Sequence, residues 1–292
     1  MGAMAARVEM ADVSWTALGV AVGRAAEDAR PDPLFHDPLA AAFVAAGEAH
    51  APFPSGAAAD SPDIWQQMQV LMGEYVSVRT KFFDDYLLAA TAAGCRQVVL
   101  VAAGLDARAY RLDFPAGVRV FELDMPPVLR FKQQVIDEVG AQPRGERIVV
   151  ATDLREDWPT ALQAAGLDPA VPTAWLAEGL IPYLSPADND RLISGITGLS
   201  APGSHLSVEY IDADFAKVPD LMRDVDPEMT NWFADLWKGG VGNDPVSWLA
   251  DHEWLARTAD PAELSRRHHR DLAPLFAGTA GFTPPQFITA QR

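Results

Sequence analysis

Carboxylates recur where a parallel sheet would end its strands. Short apolar runs at 118–123, 147–151 and 173–178 lead directly to Asp124, Asp153 and Glu178. In open parallel sheets, ligands lie beyond the carboxyl ends of the strands, at the point where strand order reverses. An acid there can accept hydrogen bonds from ribose hydroxyls or an amine, or balance a cation. Each of these acids, taken singly, is as well explained as a helix cap. Their succession along one rim is what points to a ligand.

The turn after the first apolar run, 97–102, sharpens the chemistry. It reads Ala102-Ala103-Gly104-Leu105-Asp106-Ala107 and keeps only the middle glycine of the dinucleotide-binding pattern. A phosphate here would be held by backbone N–H groups and the positive end of a helix, and Asp106 puts a negative charge into that field. Asp106 also serves as a helix N-cap. The ligand expected is an adenosine that lacks phosphates and carries positive charge. S-adenosyl-L-methionine, with its ammonium and sulfonium, meets that description. Asp124 follows Gly104 by about 20 residues, the distance at which an acid holds a ribose. Asp153 and Leu154 stand where the adenine amino group and ring edge would lie.

These residues need a sheet to carry them. The apolar runs alternate with helical patterns at 106–112, 126–139, 157–165 and 186–200, and further strands are read at 204–211 and 286–290. Such alternation means βαβ units with right-handed crossovers, hence an α/β, doubly wound and mostly parallel Rossmann-like sheet. Ahead of it, helices are read at 14–28, 38–49 and 63–93, the last with Ile64, Met68, Leu71, Val78, Phe82 and Tyr86 at helical spacing. The expected division is a helical cap region at 1–93 and a core at 94–292. The core carries an insertion at about 212–258, whose Trp232, Trp237, Trp248 and Trp254 suit either a lid or an extra helical layer.

The totals bound the partners. The 292 residues carry a net charge of -17, which disfavours nucleic acid, since phosphate-backbone affinity comes from Lys and Arg. Cys95 is the sole cysteine, which excludes an internal disulfide and suits a reducing compartment. No apolar stretch reaches membrane-spanning length. A cytoplasmic protein without membrane or nucleic-acid partners is expected, and a homodimer is compatible with this. "RRHHR" at 266–270 reads as a solvated helix face rather than a metal site, and no G-x-S-x-G elbow is present.

The stretches "GLDARAYRLDFPAGVRVFELDMPPVLRFK" (104–132), "TDL" (152–154), "AEGLIPYLS" (177–185) and "SVRTKFFDDYL" (77–87) closely resemble the leucine carboxyl methyltransferase superfamily, in particular its actinobacterial and mycobacterial branch. The resemblance covers roughly 14–211. It implies the class I methyltransferase fold, S-adenosyl-L-methionine as cofactor and a small-molecule methyl acceptor. It also implies that Arg79 meets the cofactor carboxylate, that Ala103 and Gly104 approach its methionine moiety, and that Asp124 holds the ribose. By the same resemblance Asp153 and Leu154 hold the adenine, and Glu178 faces the ammonium or the floor of the active site. Ala102 departs from the family, where glycine is common; an alanine fits there if its φ stays negative.

No catalytic residue follows from this. Tyr183, His205, Glu209 and Tyr210 are the candidates for contacting the acceptor, and the reaction expected is O-methylation of a carboxylate or phenol. A non-catalytic cofactor-binding protein of the same fold is the alternative from another class. A nicotinamide-dependent oxidoreductase is the weaker one, because of the missing glycines and Asp106.

Overall fold

A computed structural model describes residues 12–48, 63–212, 237–241, 244–272, 276–277 and 283–292, with the backbone alone at 12–15, 48 and 63–71. The centre is a seven-stranded sheet. Its strands are β1 (Gln97–Val101), β2 (Arg119–Asp124), β3 (Glu146–Ala151), β4 (Thr173–Ala177), β5 (His205–Tyr210), β6 (Leu255–Ala259) and β7 (Gln286–Gln291), in the order β3-β2-β1-β4-β5-β7-β6. The first five are parallel, and β7 runs antiparallel to both β5 and β6. Strand order therefore reverses between β1 and β4, which fixes where a ligand belongs.

Burial explains why the central strands read as unbroken apolar runs. All five residues of β1 and of β4 are buried, because helices cover both faces. Val99 and Val101 join Phe121, Leu123 and Trp175 on one face, packed against α6 (Trp158–Ala164) and α7 (Pro186–Gly198). Val98 and Leu100 point the other way, into a core with Phe83, Leu87 and Phe287 under the long helix α3 (Asp63–Ala92). The outer strand β3 is mostly open to solvent, as its polar start and half-exposed Val149 show.

The N-terminal helices α1 (Asp12–Asp28) and α2 (Pro38–Glu48) share a third cluster with α5 (Pro126–Val139). In it Leu18, Ala21 and Phe43 meet Phe131 and Ile136, together with Leu105 from the first turn. Buried Arg270, just after α9 (Pro261–His268), reaches across 243 residues of chain to donate to Glu27 on α1, with Nη2 2.7 Å from Oε1.

Two features differ from the sequence reading. Residues 245–259, expected inside the insertion, form α8 (Pro245–Asp251) and β6, the outer strand of the sheet. Trp248 and Trp254 are accordingly buried against α7, their indole N–H groups donating to Asp190 and Thr197. They are core rather than lid. Trp232 and positions 213–236 lie outside the described residues. "LARTA" was missed as a strand because it is short, and only Ala256 among its residues is buried.

Candidate active site at the carboxyl rim of the sheet

The first turn is shaped by two residues with left-handed backbone. Ala102 has φ of 51° and Gly104 φ of 48°. The expectation of a negative φ at Ala102 is therefore wrong. A non-glycine residue in this region carries strain of ~1–2 kcal/mol, held here by the structure around it. Ala103 N donates to Leu123 O at 2.8 Å, and Gly104 N to Asp124 Oδ2 at 2.6 Å. Glycine suits position 104 for a further reason. A Cβ there would lie 3.3 Å from the Cβ of Ala17, so helix α1 rests directly on the turn.

Asp106 does not cap a helix in the expected way. The helix that follows, α4 (Arg108–Arg111), is a single turn with Ala107 at its N-cap. Asp106 instead accepts the N–H of Arg108 at 2.6 Å and pairs with the Arg108 guanidinium. Burial raises the Asp106 pKa, but Arg108, Lys132 and Arg111 outweigh it and hold the carboxyl below its usual range.

Arg108 leads into a buried ionic network that the separate motifs do not announce. Its Nε meets Asp84 at 2.7 Å, and its Nη1 meets Glu178 at 2.7 Å. Arg79 Nε stands 2.8 Å from Glu178 without an aligned hydrogen bond, and its Nη1 donates to both oxygens of Glu209 at 3.2 and 3.1 Å. Glu209, fully buried, also accepts the Tyr75 hydroxyl at 2.5 Å and the N–H of Gly179 at 2.7 Å. Burial pushes the Glu178 pKa up, yet Arg108 and Arg79 prevail and the group is held ionised. Asp84 closes the network by taking both terminal nitrogens of Arg111, at 2.5 and 2.6 Å.

On the β2 and β3 side the acids meet different partners. Asp124 accepts two backbone N–H groups, from Gly104 and from Met125, each at 2.6 Å. Its pKa is raised, burial outweighing those two bonds. Asp153 is gripped by the exposed guanidinium of Arg155, which with their hydrogen bonds draws its pKa down.

Acids stand at or just past the tips of β2, β3 and β4, and the glycine turn is roofed by α1, so the rim offers acceptors that suit a cationic nucleoside. The chain's residues 17–197 match the family model described as leucine carboxyl methyltransferase. It is 46% identical to a protein of Parafrankia sp. (strain EAN1pec), over 97% of this chain and 88% of that one. It is 44% identical to one of Rhodococcus jostii (strain RHA1), over 91% and 90%. Both relatives are named as S-adenosyl-L-methionine-dependent methyltransferases.

The chain belongs to the leucine carboxyl methyltransferase family.

It is an S-adenosyl-L-methionine-dependent methyltransferase with a Rossmann-like sheet. A solved structure from Bordetella parapertussis, described as a possible exported protein, shares the fold at 16% identity, with a TM-score of 0.51 over 99% of each chain. Among the described residues no helix is long and apolar enough to cross a membrane, and no His, Cys, Asp and Glu group is arranged to hold a metal.

The acceptor candidates of this methyltransferase separate sharply. His205 opens β5 and pairs with Ala174 near the start of β4, so it lies at the opposite end of the sheet from the rim. There it neighbours Gln291 across the β5–β7 ladder, and it is withdrawn as a candidate. Glu209 is at the rim but consumed by Tyr75, Arg79 and Gly179. Tyr210 is buried in the core with its hydroxyl 3.5 Å from Asp212, and burial pushes its pKa up to about 12. Tyr183 ends a short 3-10 turn, Ile181–Tyr183, beyond the β4 tip. Burial raises its pKa, against hydrogen bonds from Thr16 of α1 and from Trp237. Sequence reasoning missed Tyr75 and Asp84 on α3 and Arg108 on α4, whose partners lie far away in the chain and leave no local signal.

Proposed function

We propose that this methyltransferase methylates an oxygen of a small molecule, and that the oxygen belongs to a carboxylate. The observation that carries this is the state of the rim's basic groups. Among the described residues, Glu178 is held ionised between two arginines, Glu209 is saturated with donors, and Tyr183 has a raised pKa. None is poised as a general base. A carboxylate acceptor is already anionic at neutral pH and needs none, whereas a phenol or alcohol would benefit from one.

When bound, the cofactor supplies a methyl group on a sulfonium, and the protein has to align the acceptor and exclude water. In this reading Asp124 accepts the ribose hydroxyls through lone pairs its two backbone bonds leave free, and Asp153 with Leu154 holds the adenine edge. Ala103 and Gly104 flank the methionine moiety. Glu178 balances its ammonium, and Arg79, with Nε and Nη1 turned to the glutamates, offers Nη2 to its carboxylate. Tyr183 faces the acceptor. The N-terminal helices act as the cap of the acceptor site. The protein works without nucleic acid or membrane.

The test is S-adenosylhomocysteine formation with matched panels of carboxylic acids and phenols, followed by a pH–rate profile. Turnover of carboxylic acids with kcat/KM flat between about pH 6 and 9 is expected. Turnover of phenols alone, or a profile needing a base that titrates near neutrality, overturns the reading. Cofactor binding without turnover on either panel would favour a binding protein of the same fold.

A further inference from the structure

The turn at Ala102–Asp106 is short and contains two left-handed residues. Its backbone is held from outside. Two tethers come from β2, through Leu123 O and the Asp124 carboxylate. The third comes from the N-terminal region. Arg24 of α1, buried at 7% exposure, donates from Nη2 to Leu105 O at 2.7 Å.

Arg24 is itself fixed. Its Nε donates to Asp37 Oδ2 at 2.8 Å, and Asp37 is fully buried in the link before α2. The other oxygen of Asp37 accepts the N–H of Ala40 at 3.1 Å, capping α2. Around this pair, Leu105 packs with Leu18, Ala21 and Phe43, and Ala17 stands against Gly104.

We infer that Arg24, oriented by Asp37, is a positioning residue for the cofactor turn, making the affinity for S-adenosyl-L-methionine depend on how α1 is docked. The inference rests on the reading that the Gly104 turn receives the cofactor. The physical reason is the planar guanidinium. It spans a carboxylate and a carbonyl with parallel donors, which an ammonium cannot do in one geometry. Without it Leu105 O is buried with one acceptor bond fewer, and the turn is free to relax toward the less strained conformation that Ala102 would prefer.

The experiment measures S-adenosyl-L-methionine and S-adenosylhomocysteine affinity by calorimetry, and the thermal midpoint, for four proteins beside the wild type. Arg24→Met removes the donor and leaves buried Asp37 with only the longer contact to Arg111, whose Nε stands 3.9 Å away, so it loses stability as well as affinity. The double variant Arg24→Met, Asp37→Asn removes the weakly paired charge and keeps the α2 cap. It is expected to regain thermal stability while still binding both ligands roughly tenfold more weakly, the scale of a lost bond to a charged donor. Arg24→Lys is expected to restore affinity only in part. Asp124→Asn tests the underlying reading by itself. If affinity follows the thermal midpoint across the Arg24 variants, or the double variant binds like the wild type, Arg24 is structural only and the inference fails. If Asp124→Asn binds normally, the site reading fails instead, whatever the Arg24 variants do.

Discussion

The two halves of the rim use the same residue types for different ends. Toward β2 and β3, Asp124 bonds to backbone N–H groups, and Asp153 to an arginine that is itself largely exposed. Toward β4 and β5, Glu178 and Glu209 are enclosed with Arg79 and Arg108, and every carboxylate faces a guanidinium. The first half holds its acids with few partners and leaves acceptor capacity free. The second spends its charges on itself, committing Glu178 and Glu209 to guanidinium partners. A strand-tip acid thus has no fixed meaning. Its role depends on whether a neighbouring helix delivers an arginine, as α3 does for β4 and β5.

The contrast is broken most directly at Arg79. Arg79→Met leaves buried Glu209 without a guanidinium and Glu178 with Arg108 alone, and is expected to cost ~3–5 kcal/mol of stability. Arg155→Met removes an exposed partner and should stay within about 0.5 kcal/mol. Denaturant titration of both variants checks this, and equal losses would erase the distinction. Next comes Asp124→Ala, expected to weaken S-adenosyl-L-methionine binding by ~1–3 kcal/mol in calorimetry; an unchanged affinity would remove the ribose role from the β2 half.

Backbone geometry gives a smaller pair of effects with opposite signs. Gly104→Ala forces a Cβ onto a positive φ and against Ala17, and should destabilise by about 1–2 kcal/mol. Ala102→Gly relieves the strain at φ 51° while adding freedom to the unfolded chain, for a net gain below about 1 kcal/mol. Thermal midpoints moving in the same direction would contradict the left-handed turn.

Acid titration should separate Glu178 and Asp106 from Asp124 by sign alone. Glu178 and Asp106 have lowered folded-state pKa values, so their stabilisation is present above their ordinary range near pH 4 and is lost as pH falls through the folded values. Asp124 has a raised value, so it is protonated first in the folded state, and its contribution improves as pH falls through that value. Stability curves of Glu178→Gln and Asp124→Asn should therefore depart from the wild type in opposite directions between about pH 3 and 5.

Much of this was legible in advance because the central strands are buried on both faces. A run such as "QVVLV" can hardly be anything but an inner parallel strand once turn signals bound it. The helix at Pro126–Val139 was readable to the residue, with prolines at its start and Gly140 in the left-handed conformation at its end. The outer strand β6 was hidden for the reverse reason, having too little burial to leave a pattern. At the site, Asp124, Gly104 and Glu178 were found at the rim because each is local to a strand end. His205 misled, since a strand's two ends look alike in sequence while only one faces the ligand. The ionic network was out of reach. Its partners lie far apart in the chain, as Tyr75 and Glu209 do, and only the packing of α3 across the sheet joins them.

The bond between Arg270 and Glu27 has a consequence for the order in which the molecule is made. Arg270 must leave the ribosome before helix α1 can find this anchor, and such distant closure is slow. The five parallel strands, which end at Tyr210, are therefore synthesised before this anchor of the roof.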